Sequence, residues 1–149
     1  MPRDGSMVVR HAVIDTNILV SALLRPAGPP GQVMAEALAG RLIPVVSDAV
    51  LDEYSRVLTR PRLGLDAQRV RAVIEAMRNV GVRLHAAPAP PPDLPDPGDG
   101  PFIACALTAG CPVVTGNVKD FPPRLGVTVV TARQWVDLFG SLDPAADTP

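Results

Sequence analysis

Several stretches of the chain place oxygen-bearing side chains where an apolar run stops. The run from Val8 to Ile14 ends at Asp15, with Thr16 and Asn17 directly after it. An ionised carboxylate in that position is costly unless it is paired or hydrogen-bonded. Asp15 either caps a helix opening at Thr16 or holds a ligand. Asp96 and Asp99 stand three apart in LPDPGDGPFIACAL, at the mouth of another helix, where capping accounts for one of them but hardly for both. Glu53 lies in DAVLDEYSRVL at the border of an apolar face made by Leu51, Tyr54 and Leu58, and a solvated helix face explains it equally well. Asn117 sits in the glycine-containing turn of VVTGNVKDFP, which turn formation alone also explains. Ser47 and Thr115 end strands, and Lys119 is either a phosphate contact or an exposed loop lysine. Hard oxygen ligands converging without His or Cys suit Mg²⁺ or Mn²⁺ rather than zinc. Such a site makes water nucleophilic and neutralises charge on a phosphodiester.

These residues converge only if the intervening elements bring them together. Val8–Ile14, Leu42–Val46, Pro112–Thr115 and Val127–Thr131 read as strands, with a short one at Val82–Leu84. Helices are expected over Thr16–Leu24, Gln32–Gly40, Asp48 to about Thr59, Asp66–Asn79, Asp99 or Gly100 to Ala109, and Ala132–Phe139. Either Ser47 or Asp48 is the N-cap of the third, and Thr131 caps the last. Ala86–Pro97 is a stiff, proline-rich connector. Helices following most strands imply a parallel sheet covered on both faces, an α/β fold of the three-layer α/β/α sandwich type. In such sheets the site lies beyond the C-terminal ends of the strands.

Composition agrees with one domain. The chain has 149 residues, 47% of them hydrophobic and only 3% aromatic, so the core must rest on Val, Leu, Ala and Ile. That balance excludes a disordered tail, a disulfide scaffold and a collagen-like chain. Met1–Ser6 (MPRDGS) reads as a cloning scar ahead of a second methionine, residues 7–141 as the single domain, and 142–149 as a flexible tail. Cys105 and Cys111 form neither a CxxC motif nor a Cys/His cluster and read as reduced, buried thiols. No apolar stretch reaches the ~20 residues a bilayer needs, and no signal pattern opens the chain, so a cytoplasmic protein away from membranes is expected.

VIDTNILVSALL, LDEYSRVL, DPGDGPFIACALTAG and PVVTGNVKDFP together resemble the PIN-domain family, and within it the VapC-like toxin ribonucleases of bacterial toxin–antitoxin pairs. The resemblance runs from about Val8 to Phe139. It implies a Mg²⁺- or Mn²⁺-dependent endoribonuclease on an α/β/α sandwich, acting on RNA as a homodimer and blocked by a small antitoxin. By resemblance, Asp15 and Asp99 hold the principal metal and Glu53 completes or orients its water shell. Asp96 positions the attacking water or a second metal about 3.5–4 Å away. Asn17 supports the site, beside Thr16, and Thr115 and Ser47 orient ligating groups by hydrogen bonds. Asn117 falls where many members carry a fourth aspartate in a T-G-D turn. An amide can ligate or hold water but brings no charge, which weakens the second metal position more than the first. Similar T-G-N turns occur in this branch, so the departure does not imply a dead enzyme.

Two other readings fit parts of the pattern. A degenerate binding module would keep the fold without turnover, with Asn117 as its best support. A HAD-like phosphohydrolase also starts with a strand ending in Asp, but the D-x-D-x-T pattern has Asn17 and Leu19 at its third and fifth positions. The net charge of −1 and pI near 6.1 argue at first against nucleic acid. Setting aside Asp15, Glu53, Asp96 and Asp99 leaves eleven acids against 14 cations. Seven arginines between Arg56 and Arg83 meet only Asp66 and Glu75 in that stretch. An acidic pocket beside a basic segment gives the same net figure, so the pI does not exclude RNA.

Overall fold

The computed structural model describes residues 10–85 and 89–140. The expected cloning scar 1–6, the start of the first strand at Val8, the domain edges at 7 and 141 and the tail 142–149 lie outside the described residues.

Five strands and six α-helices follow one another along the described chain. They are β1 (Arg10–Ile14), α1 (Thr16–Leu24), α2 (Pro29–Leu38), β2 (Leu42–Ser47), α3 (Asp48–Leu58), α4 (Ala67–Val80), β3 (Val82–Leu84), α5 (Gly100–Ala109), β4 (Val113–Val114), β5 (Val129–Val130) and α6 (Ala132–Phe139). All pairings are parallel, and the strand order is β3-β2-β1-β4-β5. The architecture is a three-layer α/β/α sandwich, as the alternation of strands and helices predicts. Val13, Ile14, Val45, Val46, Val113 and Val114 are buried. That is why the middle strands read as continuous apolar runs rather than alternating ones.

The differences from expectation are local. Helix α2 begins at Pro29, three residues before Gln32, because Pro29 and Pro30 occupy its first turn, where a missing N–H costs nothing. Strands β4 and β5 have two residues each, although their ladder extends further. Val13 N–H donates to the Pro112 carbonyl, and Thr115 N–H to the Val130 carbonyl.

This topology decides where a site forms. The chain moves outward from β1 through β2 to β3, then returns to place β4 on the other side of β1. The order therefore reverses between β1 and β4, and a crevice opens beyond their C-terminal ends. Asp15 follows β1 and Thr115 follows β4. Both stand at that crevice.

Candidate active site

Asp15 is held by its neighbours. Its Oδ1 accepts from Thr16 N–H at 2.8 Å, which makes it the N-cap of α1. Its Oδ2 accepts from Thr115 Oγ1 at 2.7 Å and from Asn17 Nδ2 at 3.1 Å. Capping and site-building are thus done by the same carboxylate. Thr115 is fully buried and ties three segments together, because its Oγ1 also accepts from Asn17 Nδ2 at 3.3 Å and from Asn117 N–H at 3.0 Å. Asn17 closes the network by accepting from Gly116 N–H at 3.0 Å. Side chains of Asp15, Asn17 and Thr115 thus fix the turn after β4 to the end of β1, beside the backbone bond from Asp15 N–H to the Val114 carbonyl.

The two aspartates before α5 divide their work. Asp96 caps a 3-10 turn, Pro97–Asp99, accepting from Gly98 N–H at 2.9 Å. Asp99 is in the capping position of α5 but makes no capping bond. It is 8% exposed, and its Oδ2 has no hydrogen-bond partner among the described residues. A buried carboxylate oxygen left unpaired is costly, and such exceptions call for a cause. Thr16 Oγ1 is orphaned in the same way.

Glu53 reaches the same place from α3, whose entry Ser47 fixes by accepting from Val50 N–H at 3.2 Å. An added Cβ at Gly98 would lie 3.2 Å from Asp96 Oδ1 and 3.8 Å from Glu53 Oε1, so this bare backbone lies close to both carboxyl groups. Both oxygens of Glu53 accept from Arg56, at 2.5 and 3.1 Å. A third aspartate joins Asp96 and Asp99. Asp120 ends the 3-10 turn Val118–Asp120, and the ligating oxygens of Asp96, Asp99 and Asp120 lie within 4.8 Å of one another.

Crowding shows in the protonation equilibria. Burial pushes the Asp99 carboxyl up to about 7, and the charges of Asp15, Asp96, Asp120 and Glu53 add to the rise. Burial also raises Asp15, helped by Asp120 and Asp96, while the Thr115 and Thr16 donors pull it down. Acids that resist ionisation next to one another accept a cation readily, because it removes the repulsion. The donor set is carboxylate, amide and hydroxyl oxygen, with an orphaned acid oxygen at its centre. It fits a hard divalent cation between Asp96, Asp99 and Asp120, with Asp15 lining the same depression.

A model of the PIN domain matches residues 11–119. The chain belongs to the PIN-domain family. A relative is an uncharacterized protein of Methanocaldococcus jannaschii, 27% identical over 114 residues, covering 72% of this chain and 70% of that protein. Membership points to a nuclease, and the acid cluster fits a metal site.

In this PIN domain, Asp15, Thr16, Asn17, Glu53, Asp96, Asp99 and Asn117 all line one open depression beyond the sheet. Ser47, Thr115 and Lys119 do not. Ser47 caps α3, and Thr115 stands behind Asp15 as a positioning group. Lys119 is exposed in the turn before Asp120. Asp120 went unread in the sequence. Its signal was present three residues beyond Asn117, but a strand-end motif gives no reason to expect a 3-10 turn folding a later carboxylate back. No helix among the described residues is long and apolar enough to cross a membrane.

Proposed function

We propose that this PIN domain is a Mg²⁺- or Mn²⁺-dependent endoribonuclease. The observation that carries this reading is the meeting of Asp15, Glu53, Asp96, Asp99 and Asp120 at the β1–β4 crevice, with an Asp99 oxygen buried and unpaired. Asp15 and Asp99 are the principal ligands, held at fixed positions by Thr115, Asn17 and the start of α5. Asp96 and Asp120 complete the oxygen set. Asp120 adds to the cluster a charge that Asn117 does not carry, which weighs against a degenerate binding module. Family membership likewise displaces the HAD-like alternative. Glu53, oriented by Arg56, accepts hydrogen bonds from water at the edge of the cluster. A divalent ion, when bound, lowers the pKa of water and neutralises charge on the phosphodiester. The protein's part is to orient the acids and to bring the phosphate over them.

Labelled single-stranded RNA tests this directly. Wild type with Mg²⁺ or Mn²⁺ cleaves it, and EDTA abolishes cleavage. Asp15→Asn falls beyond the ~10–100-fold loss typical of groups that only support a ligand. Cleavage that survives the substitution contradicts the assignment.

The toxin reading follows from the family branch. It has the chain act in the cytoplasm as a homodimer, restrained by a small antitoxin that occupies the acid depression. Growth arrest on expression, relieved by co-expressing the short open reading frame beside its gene, tests it. Expression without any growth effect contradicts it.

A further inference from the structure

The cations that line the acid depression all come from one short segment, Arg56 to Arg62. Seven arginines lie between Arg56 and Arg83, and the fold separates them. Arg78 pairs with Glu75 and Arg83 with Asp48, none of them at the depression. Arg69 and Arg71 are exposed on α4 and do not line it either. Arg56, Arg60 and Arg62 do. Arg56 is engaged by Glu53. Arg60 and Arg62 have no ion pair among the described residues, although they line the same depression as Glu53, Asp96 and Asp99. Their donors are open, and apart from Arg56 the depression has no other cation among its lining residues.

The segment that carries them is stiff. Pro61 opens a 3-10 turn, Pro61–Leu63, with its φ fixed by the ring, and Gly64 closes it at φ 63, where a side chain would be strained. Leu65 then packs against the hydrophobic core. Two guanidiniums on a short, pinned element lose little freedom when they bind an anion. A guanidinium also matches phosphate oxygens in a bidentate fork. At the floor, Asp15 and Asp99 are only 5% and 8% exposed, so a phosphate must descend to reach them. A flexible single strand bends into such a recess, whereas a duplex holds its backbone on a stiff cylinder.

Resting on the nuclease reading, we propose that Arg60 and Arg62 bind backbone phosphates on one side of the scissile bond. The substrate is then a single strand gripped asymmetrically across the edge formed by the end of α3 and the turn after it. These contacts are independent of base sequence and set the register of the strand over the acids.

The test is the salt dependence of binding, by fluorescence anisotropy, of a labelled single-stranded RNA to the full chain in EDTA. For single strands, each phosphate contact contributes about 0.7 to the slope of log affinity against log salt, so Arg60→Ala/Arg62→Ala lowers that slope by about 1.4. Arg60→Lys/Arg62→Lys, which keeps the charges, retains most of it. Mn²⁺ affinity, measured with the metal alone, is the same in all three proteins. An unchanged slope in the alanine variant overturns the proposal, and so does a parallel loss of Mn²⁺ affinity, which would place the effect in the acid cluster. An equal loss in the lysine variant overturns it as well. Cleavage by wild type separates the two readings. A chain that does not cut RNA but loses slope in the alanine variant keeps the phosphate grip and sinks the nuclease. A chain that cuts RNA with an unchanged slope does the reverse.

Discussion

Without a cation, Asp99 keeps its proton far above the ordinary carboxylate range, because its carboxyl is pushed up to about 7 by burial and by its acidic neighbours. In the unfolded chain it returns to its ordinary value of 3.8. The folded state therefore holds this proton more tightly. The associated stability is fully present below about pH 4 and is lost as pH rises through 7. Asp99→Asn removes that loss. It raises the melting temperature of the metal-free chain by about 4 °C or more at pH 8 and changes it little at pH 4. A variant that melts lower at pH 8 contradicts the picture of a crowded acid. Asp120 and Asn117 are distinguished by the same logic. Asp120→Asn weakens Mn²⁺ binding more than Asn117→Ala does, since only the first removes a charge, and calorimetric titration ranks them. Asp15, Asp96 and Asp99 were legible because each stands at a boundary where an apolar run begins or ends. Asp120 was not, because its place depends on a turn that has no apolar period to announce it. Glu53 was only half legible, because its helix face borders both the core and solvent.

Elements hold these residues through a few specific contacts. Tyr54 lies on α3 next to Glu53, fully buried, with its O–H donating to the Ile14 carbonyl at 2.5 Å. Its ring meets Phe102 of α5 at 5.9 Å between centroids. One side chain thus ties the Glu53 helix to the strand that delivers Asp15 and to the helix that Asp99 opens. Tyr54→Phe keeps the ring and leaves that buried carbonyl without its donor. It lowers unfolding free energy by about 1–2 kcal/mol in a urea melt, and a loss near zero would mean that the hydroxyl does not couple these elements. Helices α1 and α6 were legible to the residue because their starts carry capping side chains. Asp15 caps the first, and a reciprocal Thr131–Gln134 capping box opens the second. Helix α2 was not, because its start rests on two prolines that equally suggest a turn. Strands β4 and β5 are shorter than their apolar runs, since the valines near them gain burial whether or not a regular ladder continues.

Over the whole molecule, the net charge of −1 is the sum of unlike regions. Acids gather at the carboxyl ends of β1 and β4. The unpaired Arg60 and Arg62 line the same depression, Arg56 there pairs with Glu53, and the other arginines of that stretch are spent on surface pairs or on the exposed face of α4. The parallel sheet was legible from alternation, and its strand order is what turns scattered acids into one cluster. The strand order could not be read from the sequence, because short apolar strands pair about equally well with several neighbours. That cluster is the centre of the account, and Mn²⁺ titration by isothermal calorimetry near pH 7 tests it most directly. Saturable binding is expected in wild type, with release of part of a proton as Asp99 ionises, seen as a heat that changes with the ionisation enthalpy of the buffer. Both the binding and the proton release are lost in Asp15→Asn/Asp99→Asn. A wild type that binds no Mn²⁺, or a double variant that binds it as tightly as wild type, would contradict the account.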